Sequence, residues 1–486
     1  MSNIQKLEPK AVWNYFHDIT QIPHPSKMEE KLVEYVMDFG KKHNLETIKD
    51  EIGNVLIRKP ATRGMEKLQG VIFQTHLDMV PQKNNDKKHD FETDPIETIV
   101  DGEWVRANGT TLGSDNGIGV AATLAVLAAT NLSHGPIEAL FTIDEETGMT
   151  GVFGLKPGLL KGDILLNLDS EDENEICVGC AGGMDVSATK DYSEENTPGD
   201  FISYKIVASG LKGGHSGVDI ALGRANSNKI MFRFLMQAEA DFGLRIAEVA
   251  GGNLRNAIPR ESHAIVVVPE VKTKEFEKFV KSYEKMYRSE FAETEPDLIF
   301  ETTKASLPAK VMKKDDQYKI IRAVFVCPNG VQRMSQAMPG LVETSNNMAI
   351  VKCSEGKFEC HNLTRSSVNT AKEATAWKIA AVFHLMNAEV AMSGGYPGWN
   401  PNMQSPVLKV ITGVFTNLFG KDPDVKAIHA GLECAIIGGV YPNLDMISFG
   451  PTIRFPHSPD EKVNIASVQK FWDFIVETLK NIPVKK

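Results

Sequence analysis

The spacing of apolar and polar positions changes period several times along the chain, and each change predicts an element. Over residues 27–42, Leu32, Val33, Val36, Met37 and Phe39 recur at helical spacing, and Ser26-x-x-Glu29 reads as a capping box at the start. Short apolar, β-branched runs follow at 54–57, 71–73, 137–143 and 163–168, with a helical pattern over 117–129 between them. Strands that alternate with helices are best buried in a mostly parallel, helix-covered sheet, so the fold class is α/β.

After Gly182-Gly183 the texture shifts. Residues 201–208 alternate like a strand, 225–238 read as a helix, 264–268 as a strand, and the charged stretch 272–291 has helical spacing. Short strands near Val324, Met348 and Phe358 precede a helix over 370–385. Strands interleaved with few helices predict an α+β domain over 184–398, closed by the turn cluster Gly394-Gly395-Tyr396-Pro397-Gly398. The tail returns to the first texture, with a helix over 406–419, a strand over 446–449 and a helix over 463–481. The organisation predicted is a discontinuous catalytic domain, 1–183 and 399–486, carrying an inserted second domain.

Composition narrows the function classes. In 486 residues, 42% hydrophobic and 24% charged, 53 Lys and Arg stand against 63 Asp and Glu, a net charge of -10. That balance disfavours a nucleic-acid partner, which requires a basic excess. No apolar run approaches a membrane span, and the first residues lack a signal-peptide pattern, so a cytoplasmic address without membrane association is expected. Six cysteines are too sparse for a disulfide framework. The Cys177-x-x-Cys180 pair lacks the second pair of a zinc ribbon, so free thiols are the simplest reading.

The candidate chemistry lies where apolar runs end. Residues 71–75 lead into His76-Leu77-Asp78, 137–143 into Asp144-Glu145-Glu146, and 164–168 into Asp169. Ligands gather at the carboxyl ends of strands in an open parallel sheet, so these ends can converge on one crevice. Asp78 suits the role of accepting the second ring N–H of His76. Asp115, before the helix at 117, by itself reads first as an N-cap. Glu145 and Glu146 would diverge in an extended segment, one to ligate and one to take a proton from water. His457 falls where a strand ends and a capped helix begins. Two His and three carboxylates would give each of two metal ions three protein ligands with one shared, and such ions lower the pKa of a bridging water. Competing motifs fail on context. The G-x-G-x-x-A at Gly117 follows no apolar strand, the elbow-like Gly214-His215-Ser216-Gly217 has Val218 where Gly is required, and neither H-E-x-x-H nor a phosphate-binding loop is present.

Eight segments, HLDMVPQ, NGTTLGSDNGIG, FTIDEETGMTG, NLDSEDE, GLKGGHSG, NLRNAIPR, HAGLECAI and FGPTIRFPHSPDE, run over essentially the whole chain. Together they resemble the co-catalytic zinc exopeptidases that include aminoacylases, glutamate carboxypeptidases and carnosinases, and among them the enzymes that cleave Xaa-His dipeptides. The resemblance implies two Zn2+ per chain, replaceable by Mn2+ or Co2+. His76 and Asp169 would bind one ion, Glu146 and His457 the other, and Asp115 would bridge. Asp78 would orient His76, and Glu145 would act as general base and then proton donor. The inserted domain would be a lid closing on a dipeptide, with His215 on the carbonyl oxygen and Asn256 and Arg365 gripping the substrate, and Gly431 would contribute backbone contacts from the catalytic domain. A homodimer is implied as well. An N-acyl-amino-acid deacylase or a carboxypeptidase using the same site is the alternative.

Overall fold

The computed structural model describes residues 4–485. The chain forms two compact units: one comprises the chain up to Gly179, Pro401–Ala427 and the chain from Leu432 onward, the other Cys180–Asn400 and Ile428–Gly431.

The first unit is built on a sheet whose centre is parallel. Strands Ile137–Thr142, Val71–His76, Ile164–Asn167 and Asp445–Ser448 lie side by side in that order, all running the same way. The first three are buried at every position, as expected of strands covered on both faces. Their register pairs His76 with Thr142, Gln74 with Asn167 and Asn167 with Ser448, so the carboxyl ends are level. Antiparallel strands flank this centre: Val55–Lys59 and Glu46–Lys49 on one side, Glu175–Cys180 on the other. Helix Ser114–Ala128 is buried on almost every face. It packs against helix Lys10–Thr20, which turns Val12, Trp13, Phe16 and Ile19 inward. Gly117 marks the close approach, since a Cβ there would lie 3.0 Å from the Phe16 ring.

The second unit is α+β. Its large antiparallel sheet runs in the order Ile299–Lys304, Phe201–Ser209, Ser262–Pro269, Arg245–Gly251, Val342–Ser354, Lys357–Ser366, Gly182–Asp191, Glu389–Tyr396. Helices Ser227–Phe242, Thr273–Glu290, Lys314–Val326 and Asn369–His384 accompany it. An aromatic cluster fills the core, with Phe234 and Phe300 ring centres 5.1 Å apart and Tyr287 and Phe300 5.2 Å apart.

Several local expectations are corrected. The helix expected from 27 is Glu30–Lys42, and no capping box forms. Ser26 instead donates to Asp78, while Glu29 accepts from the Lys27 N–H and the Asp144 N–H. Val324 lies in a helix rather than a strand: Ile320, Ile321 and Val324 are buried at helical spacing. The last turn is capped by the Lys229 ammonium, which donates to the carbonyls of Val324, Phe325 and Cys327. Gly394 and Gly395 fall within the strand Glu389–Tyr396, at a break in its register. No helix begins directly after His457. Ile453–Arg454 and Lys462–Asn464 pair as strands around a turn, and the closing helix starts at Ile465.

Candidate active site

Above the level strand ends, the His76 Nδ1 lies 3.0 Å from the Asp78 carbonyl oxygen and 3.4 Å from Asp78 Oδ1. Both are acceptors, so Nδ1 carries the proton and Nε2 presents its lone pair in the neutral ring. That Nε2 is 3.2 Å from Asp115 Oδ1 and 3.2 Å from Asp169 Oδ1. The second oxygen of Asp115 is 3.3 Å from His457 Nε2, which is 2.9 Å from Glu146 Oε1. Asp115 thus divides its two oxygens between the two imidazoles. The donor atoms form two groups that share it: His76, Asp115 and Asp169; Asp115, Glu146 and His457, those of each group within 4.8 Å of one another. Glu146 Oε1 is buried and takes no hydrogen bond among the described residues. Ring nitrogens and carboxylate oxygens facing one another at these distances fit divalent cations, whose charge offsets the crowding of acids.

Each donor is held by a specific neighbour. Asp78 accepts the Glu145 N–H on Oδ1 at 2.9 Å, and the Glu146 N–H and Ser26 hydroxyl on Oδ2 at 3.1 and 2.8 Å. It therefore joins the end of the His76 strand to the turn bearing both glutamates. That turn is not the extended segment expected: Asp144 sits at φ 53°, its carboxylate accepting the Thr147 and Thr150 hydroxyls, and a short helix starts at Glu145. Successive residues still diverge there, by about 100° around a helix axis. Asp115 is not an N-cap. It lies in non-helical backbone beside Asn116, and its peptide bond to Asn116 is cis. Asp169 accepts from the Asn116 side-chain amide at 2.6 Å.

Sequence reasoning missed Glu461. Its buried carboxylate accepts the backbone N–H groups of Leu112, Gly113 and Ser114 at 2.8, 3.1 and 2.7 Å and the Ser114 hydroxyl at 2.6 Å, fixing the loop that carries Asp115. Its position four residues after His457, at the end of the HSPDE segment, was the available signal. Glu461→Ala leaves these buried donors unpaired, and each such donor costs roughly 1–3 kcal/mol. A drop in thermal midpoint of several degrees is expected, with reduced metal retention after dialysis; a variant with unchanged melting and metal content would refute the assignment.

Electrostatics reflect the crowding. Burial opposes a charge on His76, yet Asp169, Asp115 and Asp78 raise its pKa well above the usual imidazole range. The Asp115 and Glu146 carboxylates facing it push His457 up to about 11. Burial, with Asp115 and Glu146 nearby, pushes the Asp169 carboxyl up to about 6. Glu145 is raised well above the ordinary carboxyl range, first by burial and then by the negative charges of Asp169, Glu433 and Glu146. A cage that favours protons this strongly without a cation favours cations for the same reason.

The remaining predicted residues lie in the second unit. His215 Nδ1 accepts the N–H groups of Gly217 and Val218, both at 3.2 Å, which leaves Nε2 as the proton-bearing donor. His215 pairs with Ala257 across a two-residue ladder, and the Asn256 carbonyl accepts the Ser216 N–H, so the His215 and Asn256 loops are joined. The Asn256 side chain is exposed. Arg365 is 5% exposed, with Nε 3.3 Å from the Ser216 hydroxyl and Nη1 3.2 Å from the Tyr396 hydroxyl. Among the described residues no carboxylate lies within ion-pair distance of it, leaving a buried cation suited to an anionic group. Gly431, expected in the catalytic domain, instead closes the short segment Ile428–Gly431 that belongs to the second unit. His429, which sequence reasoning also missed, is buried and bonds the Ser345 hydroxyl at 2.7 Å; a Cβ on Gly217 would lie 2.1 Å from its carbonyl oxygen.

A central parallel sheet whose strand ends carry His76, Glu146 and Asp169, meeting Asp115 and His457 in overlapping triads, fits a hydrolase of the co-catalytic metal type. Comparison with known proteins agrees. The profile of Peptidase family M20/M25/M40 matches residues 72–481. The chain is 45% identical to the "Cytosol non-specific dipeptidase" of Escherichia coli (strain K12), over 100% of both chains. A crystal structure of aminoacylhistidine dipeptidase from Vibrio alginolyticus superposes with a TM-score of 0.95 at 46% identity, covering 100% of this chain and 99% of that one. A tripeptidase from Staphylococcus aureus shares the fold, with a TM-score of 0.57 at 16% identity over 98% of this chain and 99% of the other. The chain belongs to peptidase family M20/M25/M40 and is a metallo-exopeptidase. Among the described residues no helix is long and apolar enough to cross a membrane.

Proposed function

We propose that this protein is a dinuclear zinc dipeptidase that hydrolyses dipeptides of the Xaa-His type. The observation that carries the reading is the pair of donor triads meeting at Asp115, with Glu145 beside them. His76 and Asp169 would hold one zinc, Glu146 and His457 the other, and Asp115 both; Mn2+ or Co2+ would serve in the same oxygen-rich set. Bound there, the two ions supply a lowered pKa for water and polarisation of the scissile carbonyl.

The chain's own groups do the rest. Glu145, held by its N–H on Asp78, accepts a proton from the attacking water and delivers it to the departing amine nitrogen. Its raised pKa suits a group that must hold that proton between the two transfers. Asp78 keeps the Nε2 lone pair of His76 turned to the donor set. His215, whose Nε2 carries the proton, donates to the carbonyl oxygen as negative charge develops. The Arg365 guanidinium takes the terminal carboxylate, and Asn256 and Gly431 contact the backbone of the substrate. The names of the Escherichia coli and Vibrio alginolyticus relatives support dipeptide substrates, and the former's name supports a cytosolic address. A homodimer is part of the same reading.

A panel on zinc-loaded protein tests it: dipeptides with and without C-terminal His, β-alanyl-histidine, amidated dipeptides and N-acetyl amino acids. Free dipeptides are expected to be cleaved, Xaa-His fastest, and N-acetyl amino acids left intact; preferred release of acetate would replace the dipeptidase by a deacylase. In the same panel Arg365→Ala is expected to cut kcat/KM for free dipeptides by about 10- to 100-fold, the worth of a charge-assisted hydrogen bond, and to spare amidated ones. An undiminished preference for the free carboxylate would remove Arg365 from that role.

A further inference from the structure

Just below the donor set, the parallel strands carry a second row of polar side chains. Gln74 precedes His76 by two residues, Asn167 precedes Asp169 by two, Thr142 pairs across from His76, and Ser448 ends the strand Asp445–Ser448. All four side chains, and that of Glu433 at the start of helix Glu433–Val440, are 0% exposed. They form one hydrogen-bonded chain. Ser448 Oγ donates to Asn167 Oδ1 at 2.5 Å, Asn167 Nδ2 to Gln74 Oε1 at 2.6 Å, and Gln74 Nε2 to Glu433 Oε2 at 2.5 Å. Thr142 Oγ1 donates to the same Glu433 oxygen at 2.7 Å. Ser170 Oγ stands 2.8 Å from Ser448 Oγ, and because the Ser448 proton is committed to Asn167, Ser170 is the donor of that link. Every bond therefore points one way, from the residue after Asp169 to Glu433.

We propose that Glu433 is a positioning residue for the metal centre, the terminal acceptor of a buried chain that sets the spacing of His76 and Asp169. A run of donors needs an acceptor at its end, and both the Gln74 amide and the Thr142 hydroxyl finish on one Glu433 oxygen. The other oxygen, Oε1, is buried without a hydrogen bond among the described residues. Burial pushes the Glu433 carboxyl up to about 8. Apolar side chains at these positions would pack the sheet without fixing it. The directed chain admits one arrangement of its amides, and it links the strand that ends at His76, the strand that leads to Glu145 and Glu146, and the segment of Asp169. Groups that orient ligands from outside the metal's own shell are typically worth 10- to 100-fold in metal affinity.

The inference rests on the reading that His76, Asp115 and Asp169 hold a metal ion, and the test separates the two. Metal-free wild type, Glu433→Gln, Glu433→Ala and Ser448→Ala are titrated with zinc against a chromogenic chelator, with circular dichroism as a check on folding. Wild type is expected to bind two zinc ions; binding of none would refute the metal reading itself. Glu433→Gln, whose amide oxygen accepts the same two bonds while its NH2 takes the place of Oε1, is expected to stay within about threefold of wild type. Glu433→Ala and Ser448→Ala are expected to weaken one ion about 10- to 100-fold and leave the other unchanged, with kcat recovered at high zinc and KM unaltered. Folded alanine variants with wild-type zinc affinity would overturn the proposal, as would a Gln variant as damaged as the Ala one, which would assign the effect to charge. Should Glu433→Ala not fold, Ser448→Ala, lacking a single hydroxyl at the far end, decides alone.

Discussion

Glu145→Gln is expected to lower kcat by about 10^2- to 10^4-fold while metal content stays at two ions per chain, because it removes a proton carrier and leaves the donor set whole. The geometry distinguishes this glutamate from its neighbour. Glu146 faces His457 at 2.9 Å through a buried oxygen that takes no hydrogen bond among the described residues, which is the situation of a ligand. Glu145 donates its backbone N–H to Asp78, and its carboxyl is raised by burial and by the acids around it. The amide of Gln keeps the size and loses the proton-accepting oxygen, so KM should change little. Steady-state kinetics and metal analysis on the same preparation check the result. If instead Glu145→Gln lost an ion and Glu146→Gln kept both, the two roles would be exchanged.

The candidate site was legible in the sequence wherever an apolar strand ran into polar or charged residues. The ends at His76, Thr142 and Asn167 could be read from residue type alone, because strands buried on both faces have no polar reason to stop except at the sheet's edge. The organisation into a parallel-centred α/β unit and an antiparallel α+β unit was legible for the same reason. The supports were not. Ser26 looked like a helix cap because Ser-x-x-Glu is a local signal, whereas its hydroxyl is used by Asp78, 52 residues away. Glu461 serves a loop 347 residues upstream at Ser114, and Glu433 meets Gln74 across 359 residues. No local period encodes such pairings; they follow from the register of the assembled sheet. Val324 was misread because Val-Phe-Val has the composition of a strand, while its burial follows helical spacing set by Ile320 and Ile321.

Removing bound metal by prolonged chelation is expected to abolish peptide hydrolysis to background, at least a 10^3-fold loss, and adding back Zn2+, Mn2+ or Co2+ should restore it to different extents. The residues explain why no partial activity should remain. Without cations the cage takes up protons instead: His76 and His457 are held well into their charged forms, and Asp169 is pushed up to about 6 by burial and its acidic neighbours. A charged imidazole has no lone pair to offer, and the protonated cage cannot lower the pKa of water as a divalent ion does. The fold should survive, because the sheet registers and the Glu461 and Asp78 contacts do not involve the ions, but its thermal midpoint should fall. Binding at 100 times Kd contributes about 2.7 kcal/mol per site, and that contribution is lost with the metal. Calorimetry of the metal-loaded and stripped protein, with turnover measured on each, reads both effects at once. Full turnover in protein shown by elemental analysis to hold no metal would leave the His76, Asp115, Asp169, Glu146 and His457 constellation without the role assigned to it.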